Sequence, residues 1–181
     1  MGNSKIKQWI CVLLLVMSCS AMAFAQTLQA HAKQCHVSEK QSEHRKLVID
    51  DKYLALMFDR YFSWSKVSKK YPVESDVLVS SRHDTSYKIK VMELGNTDDK
   101  FVFWSNKNRH SPLCFNVSSE RLNTAELKLI GQPKAHYIQK YKLTESVDEL
   151  EIGSVEGFIH IVIQFKNNSV SSVQFVERYF G

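Results

Sequence analysis

The sequence predicts an α+β domain, with an N-terminal amphipathic helix packed on a curved, mostly antiparallel sheet of six to eight strands. Three observations predict it. Residues 47–65 repeat large apolar groups at helical spacing. From Asp76 onward the period changes to two. The links between the later strands are too short for parallel crossovers.

The helix is read from Leu47, Leu54, Phe58 and Tyr61, which fall near one stripe, with Met57, Phe62 and Trp64 widening it. Pro72 forces an end by Tyr71. Tyr87, Ile89 and Val91 alternate with Lys88 and Lys90, which reads as a strand with its apolar side inward. A turn at 95–99 leads into Phe101–Trp104, so the two make a hairpin. Residues 106–112 read as a loop, and Leu113–Val117 as a short strand carrying Cys114. Residues 118–131 admit a helix capped by Ser118 or Ser119, or a strand at 126–130, which is preferred. Tyr137, Gln139, Tyr141 and Leu143 line one face of the next expected strand. In the last hairpin Ile159, Ile161, Ile163 and Phe165 share a face, and Phe158, His160, Val162 and Gln164 share the other. Asn167-Asn168 tolerates the positive φ of a tight turn.

Ahead of this domain stands an export signal. Lys5 and Lys7 precede a short apolar run from Ile10 to Met17, and Ala23-Phe24-Ala25 offers small residues for cleavage. The run is well short of the roughly 20 residues that span a bilayer, and no later segment is long and apolar enough. The expectation is a cleaved signal at 1–25, a single domain at 26–181, and a periplasmic or secreted location. Lipidation at Cys19, as in an outer-membrane lipoprotein, is the less favoured use of the segment. Cleavage removes Cys11 and Cys19. Cys35 and Cys114 then remain, and in an oxidising compartment they are expected to form a disulfide. Zinc is the rival use, with His31, His36 and His110 nearby, but the spacing matches no zinc pattern. No metal is expected.

Composition and charge exclude several classes. Apolar residues make up 44% and charged residues 24%, too rich a core for a disordered chain. The formal charge is +5, and it falls toward balance once Lys5 and Lys7 leave with the signal. Export and the lack of a basic stripe argue against nucleic acid.

No Gly-rich phosphate loop, Gly-x-Ser-x-Gly elbow or His-Glu-x-x-His occurs. Neither a cofactor nor a catalytic residue is expected. Ser80 to Asp84 gathers a nucleophile, a base and an acid, but chain neighbours rarely converge as a triad. Glu43-His44 with Asp50-Asp51 reads as a solvated run. Asn116-Val117-Ser118 and Asn167-Asn168-Ser169 satisfy the glycosylation sequon, as chance allows. An acidic segment is more telling: Glu145, Asp148, Glu149, Glu151 and Glu156 occur with no basic residue among them. Such a segment can steer a basic partner.

The sequence therefore points to an exported, non-enzymatic binding protein with a protein partner. The expected class is an inhibitor or immunity-type protein that neutralises a secreted toxin or hydrolase, with Glu145–Glu156 as the contact. The alternative is a small-ligand-binding or enzymatic domain with a pocket between helix and sheet. The helix followed by an antiparallel hairpin is coarsely similar to cone-shaped nuclear-transport-factor-like domains, without a shared motif. That likeness implies a pocket, with Tyr61, Trp64, Trp104 and His160 as candidates.

Overall fold

The computed structural model describes residues 44–80, 88–106, 109–125 and 128–177. All of them lie in one compact unit, Val37–Gly181. The expectations at Cys11, Cys19, Cys35, the signal segment and Arg82 to Asp84 lie outside the described residues.

The fold is α+β, with one eight-stranded sheet. The strands are β1 (Arg45–Ile49), β2 (Val73–Ser80), β3 (Lys88–Gly95), β4 (Lys100–Asn106), β5 (Arg109–Val117), β6 (Glu149–Gly153), β7 (Ile159–Lys166) and β8 (Ser169–Glu177). Their order across the sheet is β1-β6-β7-β8-β5-β4-β3-β2. β6-β7-β8 and β2-β3-β4-β5 are each meanders of chain neighbours, and β5 joins β8 between them. One pairing departs from the antiparallel expectation: β1 runs parallel to β6.

Residues 45–49 are thus a strand and not the start of the expected helix. The helix begins one residue after Asp50, whose side chain accepts the Tyr53 N–H at 2.9 Å as an N-cap. Helix α1 (Asp51–Met57) continues as a π-helical turn (Phe58–Phe62). Ser63 is extended, and α2 (Trp64–Val67) follows. Leu54, Met57, Tyr61, Phe62 and Val67 are buried, whereas Leu47, which seemed to share their stripe, is 52% exposed on β1.

These helical turns pack on the sheet. Phe62 stacks on Phe115 at 3.8 Å, and Phe58 meets Phe175 edge-on at 4.9 Å. Beneath them an apolar row crosses strand after strand in register: Val48, Ile152, Ile161, Phe175, Phe115, Phe101 and Leu94. A second row, Leu150, Ile163, Val173 and Val117, lies beside it. In β3 the helix-facing residues are Met92 and Leu94. Ile89 and Val91 point to the opposite face, so the expected inward side of this strand is reversed.

Three other segments differ from the sequence expectation. Arg109–Pro112, read as loop, already belongs to β5. A register shift between Val102 and Phe103 carries the pairing past Leu113 to Pro112. Residues 128–130 are not a strand, because the Asn123 side chain takes their backbone groups. Its Oδ1 accepts from Leu129 and Ile130, and its Nδ2 donates to the Ile130 carbonyl. Ser119 instead caps a short 3-10 turn, Glu120–Leu122. Finally, Tyr137–Leu143 is not a strand but most of helix α3 (Lys134–Tyr141). Lys134, Tyr137, Ile138 and Tyr141 face inward at i, i+3, i+4 and i+7, and Lys142 ends the helix with φ 53°.

The C-terminal hairpin forms as expected, with Asn167 and Asn168 at φ 53° and 59°. The β3–β4 turn is locked by a buried acid. Asp99 accepts from Tyr71 Oη at 2.6 Å, from the Ser118 and Ser119 N–H groups at 2.9 Å, and from Ser119 Oγ. At Gly95 an added Cβ would lie 2.3 Å from the Asp99 carbonyl, so only glycine lets the turn close. Burial opposes the Asp99 charge, but the donors from Ser119, Tyr71 and Ser118 outweigh it and hold the carboxyl below its ordinary range. The resulting stabilisation is present above the ordinary carboxylate pKa and is lost as pH falls through the lowered value. Asp99→Asn is expected to cost about 2 kcal/mol in urea unfolding at pH 7. The difference from wild type should shrink on acidification; a constant difference down to acid denaturation contradicts the assignment.

Candidate functional site

Side chains alternate along each strand, so the apolar rows leave a second set of residues on the face away from the helices. On β6 and β7 that set includes Glu151 and His160. β1 adds Arg45, Leu47 and Ile49 beside them, with Leu47 opposite Glu151 and Ile49 opposite Gly153. Gly153 in turn pairs with His160.

Glu151 is the centre of this group. Its Oε2 lies 2.8 Å from Arg45 Nη2, and its Oε1 lies 2.8 Å from His160 Nδ1. All three side chains are only 12–15% exposed. The Nδ1 contact is an ion-pair distance that lies off the line of an aligned hydrogen bond. The other ring nitrogen, Nε2, is 2.8 Å from the Gly157 carbonyl in the β6–β7 turn. The ring lies across Gly153, where a Cβ would come within 3.1 Å of His160 Cε1 and 3.3 Å of Ile49 Cδ1. A side chain there would crowd both His160 and Ile49, which glycine avoids.

Around this ion-paired cluster stand exposed apolar groups. Leu47 and Ile49 are 52% and 50% exposed, and Val155 and Phe158 in the adjoining turn are 75% and 48% exposed. The turn is fastened on both sides. The Val155 N–H donates to Asp51 Oδ1 at 3.2 Å, and the Ile159 N–H donates to Ser154 Oγ at 3.3 Å. Exposed apolar groups beside an ion-paired arginine have the composition of a protein-docking surface.

The structure divides the residues singled out from sequence. Glu151 and His160, drawn from two separate readings, come together. The acidic segment is divided by the fold: it contains strand β6, where Glu149 accepts from Gln164 Nε2 at 3.1 Å and Glu151 holds Arg45 and His160. Glu145, Asp148 and Glu156 remain exposed. The four pocket candidates do not share a face. Tyr61 is buried under the helical turns, and Trp64 stacks on His110 at 4.4 Å with its edge toward Phe103. Trp104, paired with Val91, and His160 lie on the opposite face. Cys114 is buried on β5. Among the described residues no group of three His, Cys, Asp or Glu could hold a metal, and no helix is long and apolar enough to cross a membrane.

A second polar cluster was missed from sequence. Tyr53 Oη and Tyr137 Oη are 3.0 Å apart, and Tyr137 donates to Gln132 Oε1 at 2.7 Å. Tyr141 donates to Asp50 Oδ2, which also pairs with Lys140 at 3.0 Å. Burial pushes the Tyr137 hydroxyl up to about 12, and burial with the Asp50 charge raises Tyr141. These groups satisfy one another and bolt α3 to α1, which gives the cluster a structural role.

No known family matches the chain, and no curated protein or solved structure is significantly similar to it.

Glu151→Ala leaves the shielded Arg45 guanidinium without its counter-charge and His160 Nδ1 without its contact. It is expected to lower unfolding stability by about 2 kcal/mol at neutral pH. A loss below about 0.5 kcal/mol, the range of ordinary surface changes, contradicts the cluster.

Proposed function

We propose that this protein is an exported, non-enzymatic binding protein that docks a protein partner on the β1–β6–β7 end of its sheet. The observation that carries the reading is the surface itself. Leu47, Ile49, Val155 and Phe158 stand exposed beside Arg45, Glu151 and His160, which are held together through the Glu151 carboxylate. Binding energy at protein interfaces concentrates in a few apolar and arginine anchors within a water-excluding ring. The inhibitor or immunity-type role is the finer form of the same proposal, with a secreted toxin or hydrolase as the partner. The contact moves from the acidic segment as a whole to this apolar group, with Glu156 on its rim.

The export signal and the Cys35–Cys114 disulfide belong to this proposal. Both rest on the sequence. A tagged protein recovered from its host is expected to begin at Gln26 and to yield a Cys35–Cys114 peptide under non-reducing digestion. An intact Met1 with both cysteines alkylatable contradicts export and the staple.

The docking surface is tested by site-specific photo-cross-linking in the host. Benzoylphenylalanine at position 158 or 47 is expected to capture one stoichiometric protein. The same group at position 78, on the far edge strand and also exposed, serves as the control. Leu47→Asp with Ile49→Asp should weaken that complex at least about tenfold without unfolding the chain. Capture at 78 alone, or none at 158 and 47, contradicts the surface.

A further inference from the structure

The sheet face away from the helices is shielded where no described element covers it. Among the described residues the helical turns, α3 and the 3-10 turn pack on the other face, in the core that holds Phe115 and Tyr137. Val162 on β7 lies outside that core and points the opposite way, between Glu151 and Gln174. It is nevertheless only 3% exposed. Gln174 Oε1 and Arg45 Nε, on the same face, are buried and lack a hydrogen-bond partner among the described residues. Leaving such atoms dry and unpaired is costly, so whatever covers them should bring donors and acceptors.

Chain length points to the cover. β1 begins at Arg45, and the chain enters it from residues 37–43. Cys114, the expected partner of Cys35, is buried on this same face. Its register runs through Val176, His160 and Gly153 to Ile49. The way from Arg45 to Cys114 is thus four strand spacings across and four residues along, a diagonal of about 23 Å. It passes over Val162 and Gln174. Ten residues link Cys35 to Arg45, and extended they reach about 33 Å. That is enough to cross the face with little to spare. We propose that residues 37–43 form a strap across β6, β7 and β8 on this face, and that the strap supplies the polar groups that Gln174 and Arg45 lack. Its composition fits the task. Lys40 and Gln41 can donate to Gln174 Oε1, Glu39 and Glu43 can accept from Arg45 Nε, and Val37 brings an apolar group toward Val162. The strap rests on the Cys35–Cys114 disulfide of the proposed function for its far anchor, and it needs no docking partner. Leu47 and Ile49 keep about half their surface, so the docking group stays open beside it.

The test is photo-cross-linking within the full mature chain. Benzoylphenylalanine is placed at position 116, exposed on β5 and paired with Gln174, and in a second variant at 174 itself. The dilute protein is irradiated, reduced and digested. Both variants are expected to give a link to a peptide from 37–43 of the same chain. The same group at position 78, which pairs with Lys90 on the helix-facing side of β3, should give none. Position 116 is exposed, so that variant serves if the one at 174 fails to fold. No link to 37–43 from either position, or links only to another segment or to a second copy, overturns the proposal. The non-reducing digest reports separately on the disulfide. A Cys35–Cys114 peptide without the cross-link sinks the strap and leaves the staple, and a cross-link without that peptide does the reverse.

Discussion

The register of the apolar row from Val48 to Leu94 places everything else. Because successive side chains of a strand point to opposite faces, fixing Ile152 and Ile161 toward the helices fixes Glu151 and His160 away from them. A slip of one residue would drive both polar side chains under Phe58 and Phe62 and turn the isoleucines to water. The aromatic packing resists such a slip. Phe115 alone meets Phe58, Phe62, Phe101 and Phe175. Helical turns that seat on this row therefore specify the opposite face without touching it.

The parallel strand β1 completes that face. It leads directly into the Asp50 cap, so the residue that starts α1 also sets where β1 ends. Asp50 then ties α3 through Tyr141 and Lys140. Burial opposes its charge, but the Tyr53 N–H, Lys140 and Tyr141 outweigh that cost and hold the carboxyl below its ordinary range. One acid thus joins the edge strand, both helical regions and, through its neighbour Asp51, the turn that carries Val155. The docking surface and the helix cap are parts of one local construction.

The sequence made the last hairpin legible because three signals agreed there: alternating isoleucines, an Asn-Asn turn and β-branched residues on both strands. The β3–β4 hairpin was legible as two strands about a turn, but not in which side of β3 faces the helices. Elsewhere two periods competed. Leu47 lies at helical distance from Leu54, yet the chain from Arg45 to Ile49 finds its partner a hundred residues on, a non-local pairing that no local pattern announces. Tyr137, Gln139, Tyr141 and Leu143 alternate, but Lys134, Tyr137, Ile138 and Tyr141 make the helical face that is used. Acidity hid β6, since a run of glutamates reads as solvated until Arg45 and His160 arrive from other strands. His160 itself stood out as a polar residue in an apolar strand. Its carboxylate partner was visible only as one acid among five.

The sheet register brings Arg45, Glu151 and His160 into one cluster on the face away from the helices. A double-mutant cycle between Arg45→Ala and Glu151→Ala, read from urea unfolding at neutral pH, tests it most directly, because these residues meet only if β1 lies parallel to β6 in the observed register. The expected coupling free energy is about 1–2 kcal/mol. Additive losses, within about 0.3 kcal/mol, would place the two side chains apart and contradict both the register at the sheet edge and the surface built on it.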